Sequence, residues 1–457
     1  MRFRAPREAA LAEEEPDRAC PRSTPRTRPP SHTHSERNGV MRVEDHSLMD
    51  ADIQEEPFAY YRALHDQAPV YFMPDAQAYL VTRYHDVQHI LSHPEIWSND
   101  LLGKAGFSMF QHSEAQTLLE AEGWPRDTKF QSDPPIHSDY RALIADVFSA
   151  GRVRALGPLI RETTQDLLDV MAKTRECEFL TTFAAWLPIR VVTTLLGLPA
   201  EDAPRIKHWS DAWVEPLSGV ISKEREIEVA RLGIELQHYL ADWMERKRLD
   251  RSRDVLGDLA RATFPDGSDL PMAEKMGLAE HLIVGGHETA TSALASGLML
   301  LIQNPEIEAE LRREPALIKR FIEEMLRLES PSQGFFRYAT ADGEVAGITI
   351  PKGSMVHIRF AAANRDPDQF PHPDEIDLQR PNAGAHMAFS QGEHHCAGAP
   401  LARLELQIAF EGLLDRFERF ELLPDTTLRH LPGLALRTLE ALPIRYALAS
   451  RDTEEPS

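Results

Sequence analysis

Apolar residues recur with helical spacing along most of the chain and alternate with polar residues in only a few short segments. Between residues 136 and 330, apolar side chains return at every third or fourth position in one segment after another. Alternation, which is typical of strands, is confined to 70–82, which predicts a hairpin, to 335–359 and to the tail after Leu431. The pattern predicts a mainly α fold with a small β subdomain.

The ends of the chain and one internal connection lack this patterning. Residues 1–40 are rich in Arg, Pro, Ser and Thr, so burial of apolar side chains cannot offset the entropy of ordering them. We predict a disordered extension at 1–40, a folded domain at 41–450 and a flexible tail at 451–457. Residues 99–132 predict a long connection, and loops of that length are usually functional.

Charge and cysteine usage narrow the class of protein. A formal charge of -22 over 457 residues argues against nucleic-acid binding, which needs a basic surface. The long apolar stretch 281–303 contains His287 and Glu288, so it predicts a buried core helix and not a membrane span. The three cysteines lie far apart without a CxxC pair, which suits a reducing cytoplasm. They are Cys20, Cys177 and Cys396.

One of these cysteines stands where a metal ligand is expected. Cys396 precedes an amphipathic helix, whose N-terminal N–H groups and dipole should lower the pKa of the thiol and favour the thiolate. Gly392 and Gly398 permit a tight backbone path close to a flat ligand. Phe389 can cover the sulfur. This loop predicts the thiolate ligand of a haem iron.

A zinc site is the alternative for the same loop, because His and Cys are the usual zinc donors. Three of the four candidate ligands are consecutive, which is awkward for tetrahedral coordination, and no second Cys/His pair stands nearby. A cysteine that only packs in a core would not require glycines on both sides. The candidate zinc ligands are His386, His394, His395 and Cys396.

The segment LIVGGHETATSAL places polar groups in the middle of a predicted helix. Gly285 and Gly286 each cost about 0.5–1 kcal/mol relative to Ala inside a helix, so they are expected to open a groove. The Thr289 hydroxyl can bond to the Gly285 carbonyl, with the Glu288 carboxylate beside the groove. Such a site suits dioxygen and a proton relay, although a glycine pair used for helix packing explains the same residues.

Two charged pairs also share a helix face. Glu324 and Arg327 lie three residues apart and can pair, which on a surface would contribute about 0–1 kcal/mol. His137 and Arg141 lie four apart and can grip an anion together. Without further context both pairs are typical of ordinary surface residues.

In their order along the chain, these motifs resemble the cytochrome P450 family, in particular its soluble bacterial members, over about residues 45–450. The family's Phe-x-x-Gly-x-x-x-Cys-x-Gly motif is matched at Phe389, Gly392, Cys396 and Gly398, with Ser390 where many members have Gly. Its Ala/Gly-Gly-x-Asp/Glu-Thr motif is matched at Gly285, Gly286, Glu288 and Thr289. Its Glu-x-x-Arg helix is matched at Glu324 and Arg327, and the following meander at 364–367 and Arg380.

The resemblance implies a single P450 domain that holds haem b (iron protoporphyrin IX) between the glycine-containing helix and the cysteine loop. It implies that Glu324 and Arg327 are buried, that they join Arg380 in a structural cluster, and that Glu288 and Thr289 stabilise and protonate dioxygen. The residues implied to hold the haem propionates are His137, Arg141, Arg337 and His394.

The same resemblance implies a monooxygenase that inserts one oxygen atom of dioxygen into an apolar organic substrate. No Gly-rich dinucleotide fingerprint is present, so electrons are expected from a separate ferredoxin and its NAD(P)H-dependent reductase, docking near Cys396. We expect a cytoplasmic monomer whose pocket residues come from 99–132, 209–222 and the Gly285 helix. A peroxide-driven haem-thiolate oxygenase, which would not need Glu288 and Thr289, and a haem-based sensor are the alternatives.

Overall fold

Helices make up most of the structure, a computed structural model that describes residues 41–449 except 107, 109, 126–128, 219–220, 253 and 265. The predictions for 1–40 and 451–457 lie outside the described residues. The α-helices are α1 (Ala51–Glu55), α2 (Phe58–Gln67), α3 (Tyr84–Leu91), α4 (Leu101–Ala105), α5 (Ser113–Glu122), α6 (Ile136–Ala145), α7 (Ala150–Ala155), α8 (Gly157–Met171), α9 (Trp186–Leu195), α10 (Ala203–Val214), α11 (Lys223–Asp250), α12 (Val255–Ala260), α13 (Met272–Gln303), α14 (Pro305–Arg313), α15 (Ile318–Glu329), α16 (Phe360–Ala363) and α17 (Ala399–Arg416).

Short strands and single helical turns complete the described elements. The strands are β1 (Val70–Met73), β2 (Ala78–Val81), β3 (Trp97–Ser98), β4 (Glu176–Glu178), β5 (Phe335–Ala339), β6 (Gly343–Val345), β7 (Ile348–Ile350), β8 (Met355–Ile358), β9 (Phe417–Leu422) and β10 (Pro443–Leu448). A π-helical turn, Leu180–Ala184, precedes α9. The 3-10 helices are Val43–Asp45, Lys129–Gln131, Ala200–Asp202, Glu215–Ser218, Pro315–Leu317, Ala383–Ala385 and Gly392–His394.

The strands form three small sheets. The largest has the order β1-β2-β8-β5-β3, in which β1 and β2 make the hairpin predicted at 70–82, with Val70 opposite Val81. β2 and β8 run parallel, whereas β5 pairs with β8 and β3 in antiparallel fashion. The others are β4-β10-β9 and the β6-β7 hairpin. The predicted fold, mainly α with a small β subdomain, is confirmed.

Helix α13 runs through the core, and its burial explains its composition. Leu294, Ala295 and Leu298 are fully buried in the largest apolar cluster, where α13 packs against α9, α15 and α17. Gly297 lies against the ring of Phe410 so closely that a Cβ would overlap it, which sets the approach of α17 to α13. Among the described residues, no helix combines the length and apolar character that crossing a bilayer requires.

The interpretation of 99–132 as one long irregular connection is wrong for much of its length. It contains α4 and α5, and α5 packs on α11, where Ala115 and Leu119 are buried against Val229 and Ile234. The apolar stripe of α5 is narrow and its other faces are polar, so the segment offers little helical periodicity to recognise. Its partner lies more than a hundred residues away, and its stability comes from that contact.

Candidate active site

A cavity of about 360 Å³ lies between α13, the start of α17, α6 and β5. Most of its lining is apolar, and the polar groups converge from different elements. Ten residues predicted from the sequence line it: His137, Arg141, Gly285, Gly286, Thr289, Arg337, Phe389, His394, Cys396 and Gly398. Four separate segments of the chain therefore meet at one site.

The cysteine loop reaches this cavity through a tight turn. The Cys396 backbone N–H donates to the Phe389 carbonyl over 2.9 Å. Gly392 has a φ of 69°, and a Cβ there would lie 3.0 Å from the Leu91 carbonyl oxygen, so both the conformation and the space require glycine. Ser390 adopts a φ of 58°, where many family members have glycine. The turn presents Cys396 to the cavity and leads directly into α17.

The expected lowering of the Cys396 thiol pKa is not what the structure shows. Burial raises that pKa, and the N–H groups of Gly398 and Ala399, with the charges of Arg141 and Arg403, lower it only in part. The Cys396 side chain lines the cavity. The thiolate therefore needs a cation in the cavity, and a metal ion there would deprotonate the thiol outright.

Donor groups without matching acceptors surround another part of the cavity. Burial lowers the pKa of Arg337 to about 10, and its guanidinium makes a hydrogen bond to the carbonyl of Phe336. Burial, followed by the charges of Arg337 and His137, lowers the pKa of His394 to about 3. His137 and His394 lie with ring centroids 4.1 Å apart, and each has a buried ring nitrogen without a hydrogen-bond partner.

These groups fit the two carboxylates of a haem. Arg141, the fourth predicted contact, donates to the His395 carbonyl over 2.6 Å and lines the same cavity. A buried guanidinium is costly unless it is paired, and unpaired buried ring nitrogens cost free energy as well. Anionic groups placed between Arg337, His137 and His394 would supply acceptors to all three. Together with the cysteine, this donor set fits an iron porphyrin.

On the opposite wall, α13 opens a groove as its glycines predict. A Cβ built on Gly285 would meet no atom within 4 Å, which places open space against the helix. The Thr289 hydroxyl donates to the Gly285 carbonyl over 3.2 Å, as expected from the sequence. The hydroxyl is therefore held at the cavity edge and can exchange that acceptor for another in the cavity.

The Glu288 side chain lies beside the cavity and turns towards α10. Burial, followed by the charge of Asp211, raises the pKa of Glu288 to about 7. Lys207 donates to Asp211 over 2.6 Å and opposes that shift. His287 Nδ1 lies 3.3 Å from Glu288 Oε1 in a geometry that makes no hydrogen bond. Lys207 and Asp211 cannot be recognised from the sequence, because nothing local connects α10 with α13.

The pairing predicted for Glu324 and Arg327 is present and fully buried. Arg327 donates from Nε and Nη2 to the two Glu324 carboxylate oxygens over 2.8 and 3.0 Å, and Arg380 donates to the same carboxylate over 3.0 Å. Arg327 also donates to three backbone carbonyls of the meander at 364–380, over 2.6–3.0 Å. The cluster ties α15 to the chain that leads into the cysteine loop.

Other lining residues were missed or misplaced by the sequence analysis. Segment 99–132 contributes Asn99, Phe130 and Gln131, but no described residue of 209–222 lines the cavity. Glu405 lines it from α17, and burial raises its pKa to about 8. The apolar lining that was not predicted individually includes Ile144, Val192, Leu195, Leu282, Ala293 and Phe335.

Comparison with known proteins gives a consistent result. A sequence model described as cytochrome P450 matches residues 181–441. The cytochrome P450 monooxygenase PikC of Streptomyces venezuelae is 33% identical over 417 residues, which cover 88% of this chain and 94% of that protein. The mycinamicin IV hydroxylase/epoxidase of Micromonospora griseorubida is 36% identical over 376 residues, which cover 80% of this chain and 89% of that protein. The solved structure of the bacillaene polyketide synthase cytochrome P450 PksS of Bacillus subtilis has a TM-score of 0.77 at 29% identity and covers 88% of this chain and 99% of that one.

Proposed function

The chain belongs to the cytochrome P450 family of oxygen-incorporating enzymes, and we propose that it oxidises a bulky apolar molecule with electrons from a separate ferredoxin. The observation that carries the proposal is the meeting of Cys396 and the Thr289 groove in one cavity with a mostly apolar lining. Cys396 lines this cavity and would hold the haem iron through its thiolate. The sequence has no Cys-x-x-Cys-His segment for covalent attachment, so we assign the haem as haem b.

When bound, the haem supplies the oxidation chemistry, with a thiolate ligand that favours O–O cleavage. Arg337, His394, His137 and Arg141 line the cavity and would hold and orient the group through its carboxylates. Thr289 holds a hydroxyl proton at Oγ1 on the edge of the cavity. Glu288, with a pKa of about 7, can both hold and release a proton near neutral pH, as a general acid requires. The apolar lining excludes water.

The substrate class follows from the lining and from what relatives are named for. Phe130, Val192, Leu282 and Phe335 present apolar surface to the cavity. By their names, relatives 31% and 32% identical to this chain are a 6-deoxyerythronolide B hydroxylase and a vitamin D(3) 25-hydroxylase. These names support a bulky and largely apolar substrate for this chain, with hydroxylation as the reaction.

The cationic groups around the cysteine loop favour an acidic electron carrier. The charges of Arg141 and Arg403 act on the Cys396 thiol, in a chain whose net charge is -22. Because Arg403 is paired with Glu323, the proposed attraction of an acidic ferredoxin to this face rests on the charge of Arg141. We place this reaction in the cytoplasm, where the well-separated cysteines would stay reduced.

Turnover supported by ferredoxin and reductase, compared with turnover supported by hydrogen peroxide, tests the proposal. Compounds that shift the bound haem from low to high spin are first selected, and each is then incubated with ferredoxin, reductase and NADPH under ¹⁸O₂. We expect hydroxylated product that carries one labelled oxygen atom. Product formed faster from hydrogen peroxide alone than from the ferredoxin chain would instead favour the peroxide-driven alternative, which the Glu288–Thr289 pair argues against.

A further inference from the structure

Three metal-binding side chains meet where α10 crosses α13, outside the cavity described above. Asp211 comes from α10 and His287 and Glu288 from α13, and one potential ligand atom from each lies within 4.8 Å of the others. His287 is buried with 1% of its surface exposed, and neither ring nitrogen has a hydrogen-bond partner. We call this set the α10–α13 cluster.

The unpartnered imidazole of His287 also points to a ligand. Burial lowers the pKa of His287 to about 4, so the ring is neutral and Nδ1 can present a lone pair. Nδ1 lies 3.3 Å from Glu288 Oε1. Zinc bonds of about 2.0–2.2 Å to nitrogen and oxygen place tetrahedral ligands roughly 3.3–3.5 Å apart. The imidazole and the Glu288 carboxylate already stand at that separation.

The composition of the cluster selects the metal. One imidazole and two carboxylates suit zinc, whereas magnesium and calcium prefer oxygen ligands alone. Asp211 is half-exposed, so an ion can enter from solvent at the α10 surface and water can complete its coordination. Lys207 now neutralises Asp211, and its flexible chain can move away when a divalent ion takes that role.

We propose that Asp211, His287 and Glu288 form a zinc-binding site that controls the Glu288 carboxylate. The effect on catalysis rests on the proposed function, since a zinc ion on Glu288 would hold the carboxylate ionised and remove it as a proton source. The site itself does not depend on that role. Zinc would act reversibly, at a position separate from the haem and from the substrate.

Zinc binding to the haem-loaded protein is measured by titration calorimetry, and the ion is located by anomalous diffraction at the zinc edge. We expect one bound ion per chain between α10 and α13, not displaced by a large excess of Mg²⁺. Asp211→Asn and His287→Gln each remove one ligand and should weaken the zinc affinity at least about 10–100-fold. Loss of a residue that only hydrogen-bonds to a metal ligand already lowers metal affinity by that factor. The Asp211 side chain is half-exposed, so Asp211→Asn tests the site without disturbing the core.

The matched control is His208→Gln, which removes an exposed imidazole from the same helix. Its zinc affinity should equal that of the unmodified protein. An anomalous peak elsewhere, unchanged affinity in Asp211→Asn and His287→Gln, or loss of binding in His208→Gln would overturn the site. These measurements do not involve turnover, so they test the zinc site independently of the monooxygenase proposal. If NADPH-driven turnover remained at its full rate at saturating zinc, the proposal that zinc controls the Glu288 carboxylate would be wrong.

Discussion

Two buried polar clusters in this protein differ in how completely their hydrogen bonds are satisfied. In the cluster of Glu324, Arg327 and Arg380, both carboxylate oxygens accept hydrogen bonds from guanidinium groups, and Arg327 donates to meander carbonyls as well. In the α10–α13 cluster, His287 has two unpartnered ring nitrogens and the Glu288 carboxyl faces Asp211, another acid. The first arrangement is fixed by its partners, whereas the second can gain partners or change protonation.

The difference in hydrogen bonding suits the different roles of the two clusters. A fully bonded buried charge network holds the backbone around it in one geometry, because any displacement leaves a charge unpaired. That geometry continues to the cysteine loop, since Asn364 of the meander accepts from the Met387 N–H over 2.6 Å. A group that delivers protons must instead be able to exist in two protonation states, which a fully paired carboxylate cannot do near neutral pH.

Breaking the satisfied cluster should have the largest effect on stability. Arg327→Ala would leave Glu324 buried beside Arg380 alone and free three meander carbonyls, and we expect a loss of about 3–5 kcal/mol in the free energy of unfolding. Denaturant unfolding and haem content per chain measure it. Arg248→Ala, which removes an exposed arginine paired with Glu245, is the control and should change neither. Normal stability and haem content in Arg327→Ala would contradict the structural role.

Glu323, a neighbouring carboxylate, is also held by cationic partners, and its contribution to stability depends on pH. Burial alone would raise the pKa of Glu323, but contacts with His386 and the bidentate hydrogen bonds from Arg403 outweigh it and lower the pKa to about 2. This value lies below the ordinary 4.5, so the stabilisation is full above about pH 4.5 and is lost as the pH falls towards 2.

Removing that charge should therefore produce a pH-dependent loss. We expect Glu323→Gln to lower the free energy of unfolding by about 2–3 kcal/mol at pH 6, with the difference shrinking steadily below pH 4.5. Denaturation curves at a series of pH values measure it, with the exposed Glu245→Gln as a control that should follow the unmodified protein. A difference that stayed constant down to pH 2 would mean that packing, and not charge, is lost.

Changes to Glu288 and to the neighbouring Thr289 should affect catalysis and leave folding largely intact. Thr289→Ala is expected to keep haem binding and NADPH consumption, but to release much of the oxygen as hydrogen peroxide, with a several-fold loss of product per NADPH. Glu288→Gln should slow turnover about 10-fold or more, since positioned acid–base groups contribute about 10²–10⁴-fold and water can replace part of that effect. Product, peroxide and NADPH are measured in one reaction. Full coupling and unchanged turnover in both variants would exclude the proton relay.

The smallest effect is expected at the second described cysteine. Burial raises the pKa of the Cys177 thiol to about 11, so it stays protonated in β4, where it forms hydrogen bonds with Tyr446 and Thr182. Cys177→Ala should lower the free energy of unfolding by about 1 kcal/mol or less, with normal haem spectra and activity. Loss of the haem spectrum would show that this thiol also takes part in ligation.

Some elements could be predicted from local sequence patterns alone. The glycine-containing part of α13, the hairpin of β1 and β2 and the turn before α17 depend on neighbouring residues, and all three are present as predicted. The family resemblance added Arg337 and Arg380, whose positions cannot be derived from spacing. Arg380 is buried beside Glu324, and Arg337 is buried at the wall of the cavity.

What the sequence did not reveal depends on contacts between distant segments. α5 is held by α11, and Asp211 gains its importance from Glu288 across the helix crossing. The thiol pKa of Cys396 was predicted in the wrong direction because the helix terminus is visible in the sequence, whereas the burial that opposes it is a property of the fold. Long-range packing decides each of these cases.

The assignment of Cys396 as the haem ligand is tested most directly by the spectrum of the reduced protein with carbon monoxide. The unmodified protein and Cys177→Ala should both give the strongly red-shifted Soret band of a thiolate-bound haem. Cys396→Ala should lose that band and monooxygenase activity, because no other described cysteine lines the cavity. A red-shifted band that persisted in Cys396→Ala, or its absence from the unmodified haem-loaded protein, would contradict the account.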